Sequence, residues 1–239
     1  MNFALLLAYD GAVFRGWQKQ PGMVTVQGAL EEALAALLGK RLVVHGASRT
    51  DAGVHAEGQV ASFRCGEVPD FGRLQLSGPL QLLRWAKAHP SFHARSSSAG
   101  KRYRYDFATL QKKNNYFFSS PGVDWGRARE ALRGLDGLRE LSGLASPSKD
   151  RRPAPALTRW SLADAGVLEL EAPAFRKHQV RNIAGHLAAV ALGYCAPESL
   201  RELAQRKRPW MGARAPAHGL TLVQVRYPAE LDPFGAPLL

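Results

Sequence analysis

The segment 46–55 constrains the fold more than any other part of the chain, because it is a tight loop between two strand-like runs. The β-branched run 42–44 leads into the loop, and the alternating run 59–63 leads out of it. The loop holds one guanidinium, Arg49, and one carboxylate, Asp51. Because loops held by a rigid scaffold often carry binding and catalytic groups, this charged pair is a candidate site.

A purely structural interpretation of the loop is also open. In an Asx turn the Asp51 side chain accepts a hydrogen bond from nearby backbone, and Gly53 supplies a positive φ. The loop residues alone do not choose between a turn and a site, so the choice depends on the rest of the chain.

Length and composition limit the class of protein. A chain of 239 residues with 46% hydrophobic residues has room for one large domain or two small ones with real cores. No apolar run approaches the length of a membrane span, and 3–8 is expected to be a first strand, not a signal peptide. Cys65 and Cys195 lie far apart in the sequence. This favours a reducing, cytoplasmic location and predicts no metal site.

The charge balance indicates a polyanionic partner. The formal net charge is +12 and arginine outnumbers lysine by more than two to one, which suits phosphate contacts and stacking on bases. An anionic membrane surface is the rival partner, but the sequence shows no basic amphipathic helix, so no membrane association is expected. A basic surface that binds nothing is the remaining alternative.

The first hundred residues predict a strand, a helix and three further strands. The strands are expected at 3–8, 41–47, 55–64 and 79–88. The helix is expected from a Thr25 cap to Leu38, with Gly39 ending it. This order favours an α+β sandwich, with helices on one face of a mostly antiparallel sheet.

The second half repeats the rhythm of strand, helix and strand. It predicts strands at 101–107, 157–162, 167–170 and 219–227, helices at 124–139, 175–192 and from Pro197, and a polar loop at 111–122. The polar bridge 92–100 places a domain boundary near residue 98. The predicted domains are therefore 1–98 and 99–239. The predicted fold class is α+β, with two similar halves, an extended mostly antiparallel sheet and a central basic cleft.

Two segments have the composition of RNA-binding surfaces. The loop 14–20 interleaves aromatic, basic and amide residues, among them Arg15 and Trp17. Strand 101–107 alternates aromatic and arginine residues, so its two faces differ. In both places the alternative is an ordinary buried aromatic side chain.

Two basic segments are candidates for phosphate contact. The run 142–155 is rich in serine, proline and basic residues and is expected to be mobile. Arg176, Lys177, His178 and Arg181 crowd the expected start of the helix at 175–192, where cations oppose the helix dipole. That local cost suggests a partner carboxylate or phosphate, and a solvated basic turn is the alternative.

These segments, taken in order, resemble the tRNA pseudouridine synthase A family over nearly the whole chain. The run 49–56, Arg-Thr-Asp-Ala-Gly-Val-His-Ala, is the most specific. The other matching segments are 9–11, 14–18, 25–27, 92–95, 102–105, 180–185 and 219–220.

The resemblance implies isomerisation of uridine to pseudouridine at positions 38–40 in the anticodon stem-loop of tRNA. It further implies two α+β halves around one extended sheet with a central basic cleft. The expected assembly is a homodimer in which each tRNA touches both subunits. The family needs no cofactor and no metal.

The resemblance also assigns roles to individual residues. Asp51 would be the catalytic aspartate, Tyr103 would stack on the target base, and Arg181 would pair with Asp51. Leu220 would line an apolar pocket, and Arg49 would act beside the flipped nucleotide. The substrate-binding set implied in this way is Arg49, Leu220, Arg15, Trp17 and His55.

Two functions from other classes stay open on the sequence. A non-catalytic RNA-binding protein on the same fold would tolerate loss of Asp51 but not of the basic clusters. A structural or assembly protein with incidental charge would show no affinity for tRNA. The joint presence of Asp51, Tyr103 and Arg181 argues against both.

Overall fold

A computed structural model describes residues 1–109, 122–206, 210 and 212–235. These residues form eight β-strands and four α-helices, so the predicted α+β class is confirmed. The polar loop expected at 111–122 lies outside the described residues except for Gly122, as do Lys207 and Arg208 of the last basic cluster.

The strands and helices have the following bounds. The strands are β1 (Asn2–Tyr9), β2 (His45–Gly46), β3 (His55–Arg64), β4 (Leu80–Ala88), β5 (Gly100–Asp106), β6 (Arg159–Leu162), β7 (Val167–Ala172) and β8 (Leu220–Arg226). The helices are α1 (Val26–Leu38), α2 (Trp125–Arg133), α3 (Gln179–Ala191) and α4 (Ser199–Gln205).

The chain divides into two compact units. The first unit contains Met1–Gly100 and the segment that begins at Thr221, and the second contains Lys101–Leu220. Because compact units are not by themselves independently folding domains, the predicted boundary near residue 98 stays a prediction.

In the first unit β1 lies between β3 and β4, and both pairings are antiparallel. The other edge of β3 pairs with β2 in antiparallel fashion and with β8 in parallel. The pairing of β1 with β3 sets Phe3 opposite Phe63, and their rings stack with centroids 5.6 Å apart. The strand residues therefore supply a large part of this unit's apolar core.

Helix α1 begins and ends where the sequence predicts. The Thr25 side chain accepts a hydrogen bond from the Gly28 N–H, and Gly39 ends the helix with a φ of 65°. Leu30 and Leu34 lie on the buried face with no exposed surface.

Strand β2 is shorter than the predicted strand at 41–47. The Val44 N–H donates to the Glu31 carboxylate at 3.1 Å, and the Val44 carbonyl accepts from the Gln27 amide at 3.1 Å. Because side chains of α1 take both backbone groups of Val44, the backbone pairs with a strand only at His45–Gly46.

In the second unit β7 lies between β5 and β6, and both pairings are antiparallel. The predicted alternation of β5 is confirmed, because Tyr103, Tyr105 and the following Phe107 are buried while Arg102 and Arg104 are half-buried. The predicted hairpin around Asp164–Gly166 is also present, as β6 and β7.

Helices α2 and α3 are shorter than predicted. The Asp124 side chain caps α2 as expected, but the helix ends at Arg133, and the turns that follow include Gly137 with a φ of 77°. Helix α3 begins at Gln179, because His178 has a φ of 59° and cannot continue a helix in the N-terminal direction. Only Arg181 of the predicted basic cluster therefore lies within the first turn of the helix.

Candidate active site

The loop 47–54, called the Asp51 loop below, connects β2 to β3. It begins with the Ala47 N–H, which donates to the Val60 carbonyl at 2.7 Å. It ends in a turn in which the Val54 N–H donates to the Asp51 carbonyl at 3.1 Å and Gly53 has a φ of 81°. Asp51 is half-buried and Arg49 is exposed, so the loop presents a carboxylate and a guanidinium at the surface of the first unit.

Gln59 of β3 supports this loop from beneath. Its side chain is fully buried, accepts from the Ser48 N–H at 3.2 Å and donates to the Ser48 carbonyl at 2.8 Å. The same amide lies 3.3 Å from the Tyr9 hydroxyl, which is 2.8 Å from the Thr50 Oγ1. Ser48 and Thr50, two residues of the Asp51 loop, are thus hydrogen-bonded to side chains of β3 and β1.

Burial changes the acidity of this supporting tyrosine. Desolvation raises the pKa of Tyr9 to about 12, although its hydrogen bonds with Thr50 and Gln59 act in the opposite direction. Tyr9 is therefore a neutral hydroxyl at physiological pH, and it serves the loop as a structural hydrogen-bonding group.

Three glycines allow close packing around the loop. Gly16 has a φ of 90°, and a Cβ there would lie 2.8 Å from the Thr50 carbonyl oxygen. A Cβ at Gly46 would lie 2.3 Å from the Trp17 ring, and one at Gly11 would lie 2.1 Å from the Val54 carbonyl oxygen. Any side chain at these positions would push the loop or its supports apart.

Trp17 lies behind the loop. Its backbone N–H donates to the Thr50 carbonyl at 3.0 Å, and the residue is only 1% exposed. In this conformation a nucleotide base has no access to the ring, so the structure favours the core interpretation of Trp17. Arg15, two residues earlier, is exposed, and its contact with substrate stays a prediction.

A buried polar network fixes the start of α1 to the loop before it. The Glu31 carboxylate accepts from Lys19 Nζ at 3.0 Å and from the Gln27 amide at 2.9 Å, in addition to Val44. Gln27 Oε1 accepts from the Lys19 N–H at 3.0 Å. Because Glu31 is only 8% exposed, these partners compensate the burial of its charge.

His55 stands at the start of β3 beside the turn 10–11. Its Nδ1 lies 3.0 Å from Asp10 Oδ1 and 3.3 Å from the Gly11 N–H. A protonated Nδ1 donates to Asp10, whereas an unprotonated one accepts from Gly11, so each contact belongs to one form of the ring. Contact of His55 with substrate stays a prediction.

The other predicted site residues belong to the second unit. Tyr103 is 6% exposed, and its ring meets Phe175 edge to face with centroids 5.3 Å apart. Arg181 is half-buried, and its Nε donates to the Ala215 carbonyl at 2.9 Å while the Ala215 N–H donates back to the Arg181 carbonyl at 2.9 Å. Leu220 is 5% exposed at the start of β8.

Tyr105 lies on the same face of β5 as Tyr103 and is closely packed. Its hydroxyl donates to the Pro216 carbonyl at 3.1 Å, and Gly219 packs against its ring. Burial raises the pKa of Tyr105 far above its ordinary value, with a smaller opposing effect from Arg181. Tyr105 is therefore a structural neighbour of the segment 215–220, which Arg181 contacts at Ala215 and which ends at Leu220.

The described residues offer neither a metal-binding cluster nor a membrane-spanning helix. No group of three or more histidine, cysteine or acidic side chains there has a metal-binding arrangement. No α-helix within the described ranges is both long and apolar enough to cross a membrane.

Comparison with known proteins identifies the family. A sequence model of the tRNA pseudouridine synthase family matches residues 131–228. The chain is 35% identical over 257 residues to tRNA pseudouridine synthase A of Shewanella amazonensis, covering 100% of this chain and 97% of that relative. It is 36% identical to the Chloroflexus aurantiacus protein of the same name, over 96% of this chain and 90% of that one. The chain belongs to the tRNA pseudouridine synthase A family.

Membership in the tRNA pseudouridine synthase A family makes this chain an isomerase that acts on tRNA. A relative from Thermosipho africanus, 32% identical over 95% of this chain and 99% of its own length, carries the same name. The resemblance drawn from the sequence motifs is therefore confirmed, and the roles of single residues stay predictions.

The structure brings the predicted residues together in two groups. Asp51 and Arg49 share one loop in the first unit, and Arg181 and Leu220 adjoin the segment 215–220 in the second. The expected pairing of Arg181 with Asp51 stays a prediction.

Sequence reasoning did not find the supporting residues of the loop. Gln59 is a polar residue in an otherwise apolar stretch of β3, and this was the one signal available for it. Tyr9 appears in the sequence only within the matching segment 9–11, and nothing local in the sequence relates it to Thr50.

Proposed function

We propose that this chain isomerises uridine to pseudouridine at positions 38–40 of the tRNA anticodon stem-loop, with Asp51 as the catalytic carboxylate. The observation that carries the proposal is the Asp51 loop, a half-buried carboxylate on a loop fixed by Gln59, Tyr9 and Thr50. Full-length similarity to relatives named tRNA pseudouridine synthase A supports the reaction class. The homodimer implied by the resemblance and the cytoplasmic location suggested by the cysteine content are part of the proposal.

The chemistry requires a carboxylate but no redox group. The N-glycosidic bond breaks, the uracil turns, and a new bond joins C1′ to C5, with no net oxidation. In these reaction steps Asp51 acts as a nucleophile or as the base that removes a proton. Fixing its loop on two strands holds the carboxylate at one position, which lowers the entropic cost of reaction.

Residues of the second unit would bind and orient the flipped nucleotide. Extruding the uridine from its stack costs a few kcal/mol, and stacking on Tyr103 would return roughly 1–3 kcal/mol. Phe175 orients the Tyr103 ring by its edge-to-face contact. Arg181, fixed in direction by the Ala215 carbonyl, would place a positive charge beside the Asp51 carboxylate by pairing with it.

The decisive experiment measures tritium release from a tRNA transcript labelled at C5 of uridine. The wild type and Asp51→Asn are compared, with Asp70→Asn as a control that makes the same change at an exposed aspartate of the first unit. We expect release by the wild type and the control. Asp51→Asn should release nothing and still bind tRNA within about twofold, because most binding energy comes from phosphate contacts.

Each outcome has a distinct meaning. Tritium release by Asp51→Asn would remove Asp51 from the catalytic role. Tight tRNA binding without release by the wild type would favour the non-catalytic RNA-binding alternative. Transcripts with cytidine at positions 38, 39 and 40, singly and together, test the site of modification, since release should vanish when all three are changed.

Tyr103→Phe separates the two possible uses of that ring. The variant keeps the aromatic face and loses the hydroxyl. Unchanged turnover would leave stacking as the role of Tyr103, whereas a large loss of kcat at constant KM would indicate proton transfer at C5.

A further inference from the structure

A basic cavity lies within the second unit, on the segment that joins α2 to β6. Its volume is about 250 Å³, and it is lined by residues of 142–154 together with Arg176 and Arg206. Of the described residues, four arginines line the cavity, and Asp150 is the one carboxylate among the lining residues. The sequence predicts phosphate contact for the run 142–155 and for Arg176, but none of the catalytic or nucleotide-binding roles assigned above uses this cavity.

Asp150 organises one wall of the cavity. Its carboxylate accepts from Arg152 Nε at 2.9 Å and from Arg152 Nη2 at 2.8 Å, a bidentate arrangement. Arg176 Nη1 lies 3.4 Å from the same carboxylate, while Arg176 Nε and Nη2 donate to the Pro153 carbonyl at 3.0 and 2.8 Å. The negative charge of Asp150 is therefore neutralised by two arginines, and the wall keeps a net positive charge.

The other two arginines have no such partner. Arg151 and Arg206 are exposed, and neither guanidinium has a hydrogen-bond or ion-pair partner within the described part of the chain. Five N–H donors on each planar guanidinium are thus available at the cavity. Side chains of Ser142 and Ser146 add hydroxyl groups to the lining, whereas the Ser148 hydroxyl already donates to the Asp150 carbonyl at 3.0 Å.

This combination matches the chemistry of a phosphate group. Guanidinium groups bind phosphate oxygens in bidentate fashion, and hydroxyls supply further hydrogen bonds. Several like charges around one cavity repel each other unless an anion lies between them. The contacts of Arg176 with Asp150 and Pro153 hold the wall in place, so the site needs little rearrangement to bind.

We propose that this cavity binds a backbone phosphate of the tRNA substrate, with Arg151 and Arg206 as the direct ligands and Asp150, Arg152 and Arg176 as their frame. The identity of the polyanion rests on the proposed function, whereas the phosphate chemistry rests on the cavity alone. A free phosphate shares this chemistry, and the experiment separates the two sources.

The test compares two double variants of the full chain. Arg151→Gln with Arg206→Gln removes both ligands from the cavity. Arg133→Gln with Arg139→Gln removes the same charge from two exposed arginines of the same unit that do not line the cavity. Filter binding measures the Kd for tRNA at several salt concentrations, calorimetry measures binding of inorganic phosphate, and tritium release is recorded on the same samples.

We expect the cavity variant to weaken tRNA binding about tenfold and to reduce the slope of log K against log salt by about one. The control variant should shift the Kd by less than about twofold. Equal losses in both variants would overturn the proposal in favour of a diffuse charge effect, and no loss in either would overturn it outright. Phosphate binding lost in the cavity variant with unchanged tRNA binding would assign the cavity to a small anion and also overturn it.

Two further comparisons keep these outcomes clear. Arg151→Lys with Arg206→Lys preserves charge and removes the planar fork, so its Kd should lie between wild type and the Gln variant. Retention of wild-type affinity by the Lys pair together with wild-type affinity of the Gln pair would contradict the proposal. If the wild type releases no tritium but its tRNA binding depends on the cavity, the proposed function fails while the phosphate site stands.

Discussion

At the scale of single residues, Gln59 does for the Asp51 loop what a neighbouring strand does elsewhere in a sheet. Its amide accepts from the Ser48 N–H and donates to the Ser48 carbonyl, which is the pattern of a hydrogen-bonded pair of strand residues. Ser48 does not pair with a neighbouring strand, because the Asp51 loop has begun there. Gln59 supplies the hydrogen-bond partners that a strand would otherwise give to the Ser48 N–H and carbonyl.

Gln59→Leu tests this support directly. The change introduces an apolar side chain of similar size and leaves the Ser48 N–H and carbonyl without their partners. Each unsatisfied group costs about 1–3 kcal/mol, so we expect the free energy of unfolding to fall by about 2–3 kcal/mol. We also expect kcat to fall about a hundredfold because the carboxylate moves, with the Kd for tRNA changed little.

Gln81→Leu provides the matched control, since Gln81 is exposed on β4. Urea denaturation gives the free energies, and tritium release gives kcat. A Gln59→Leu variant that is destabilised but keeps full kcat would show that Gln59 stabilises the sheet without positioning Asp51.

His186 predicts a pH dependence of stability. The ring is 8% exposed on α3 and burial lowers its pKa. Its Nε2 lies 2.8 Å from Ser199 Oγ, and that hydroxyl donates to the Ala196 carbonyl, so Nε2 is the donor and Nδ1 carries no proton. The unfolded chain therefore binds a proton more readily than the folded chain. Stability should fall as the pH drops through the ordinary histidine pKa, near 6.5.

His186→Gln removes this titration and retains an N–H donor toward Ser199. Thermal unfolding between pH 7.5 and 5 should show a smaller loss of Tm for the variant than for wild type. His89→Gln, at an exposed position, is the control and should follow wild type. Identical pH profiles for wild type and His186→Gln would contradict the assignment.

At the scale of structural elements, the packing of the loop 14–24 against the Asp51 loop depends on glycine. Gly16 and Gly22 both have positive φ values, 90° and 70°. A Cβ at Gly16 would lie 2.8 Å from the Thr50 carbonyl oxygen, whereas one at Gly22 would have no atom within 4 Å. Alanine at either position would therefore be strained by the left-handed backbone. Only at Gly16 would its Cβ also collide with the Asp51 loop.

We expect Gly22→Ala to cost about 1 kcal/mol of stability, since only the left-handed backbone is penalised, and to leave turnover unchanged. Gly16→Ala should cost more and lower kcat at least about tenfold, because the Thr50 carbonyl must move. Denaturation and tritium release on both variants provide the measurement. Equal kcat values in the two variants would show that displacement at Thr50 does not reach Asp51.

The elements also show which parts of the fold a sequence can predict. The capping residues Thr25 and Gly39 predict the bounds of α1 from local sequence alone. The predicted bounds of β3, 55–64, are also those observed. Strand β2 was predicted too long because Val44 bonds to side chains of α1, a contact that no local pattern encodes. Helix α3 was predicted too long because the left-handed backbone of His178 is set by its surroundings.

The same division holds for the candidate site. The carboxylate and the guanidinium of the Asp51 loop stood out in the sequence, because they lie in a tight loop between two predicted strands and in the run 49–56, the most specific part of the resemblance. The residues that fix the loop did not stand out, since Gln59, Tyr9 and Thr50 are distant in sequence and meet only after the sheet forms.

At the scale of the whole molecule, the net charge of +12 favours a protein that binds tRNA over the structural or assembly alternative, in which the charge is incidental. The Asp51 carboxylate would account for the isomerisation, but a negative charge does not attract a polyanion. The affinity for tRNA must therefore come from the arginines and lysines. If about six of them contact phosphates, log K should fall with log salt at a slope near −5, a loss of about a thousandfold between 50 and 200 mM salt.

Filter binding of wild type and Asp51→Asn to tRNA over this salt range tests the argument. Both proteins should show the same steep slope, because the proposed role of Asp51 is contact with the reacting nucleotide and not with the phosphates. A slope near zero with tight binding would indicate recognition without phosphate contacts and would contradict the inference from composition. Absence of tRNA binding at low salt would support the view that the charge is incidental. A steep slope for both proteins, with turnover by the wild type alone, would support the proposed function as a whole. Basic residues spread over the chain would then supply the affinity for tRNA, and one carboxylate would carry out the reaction.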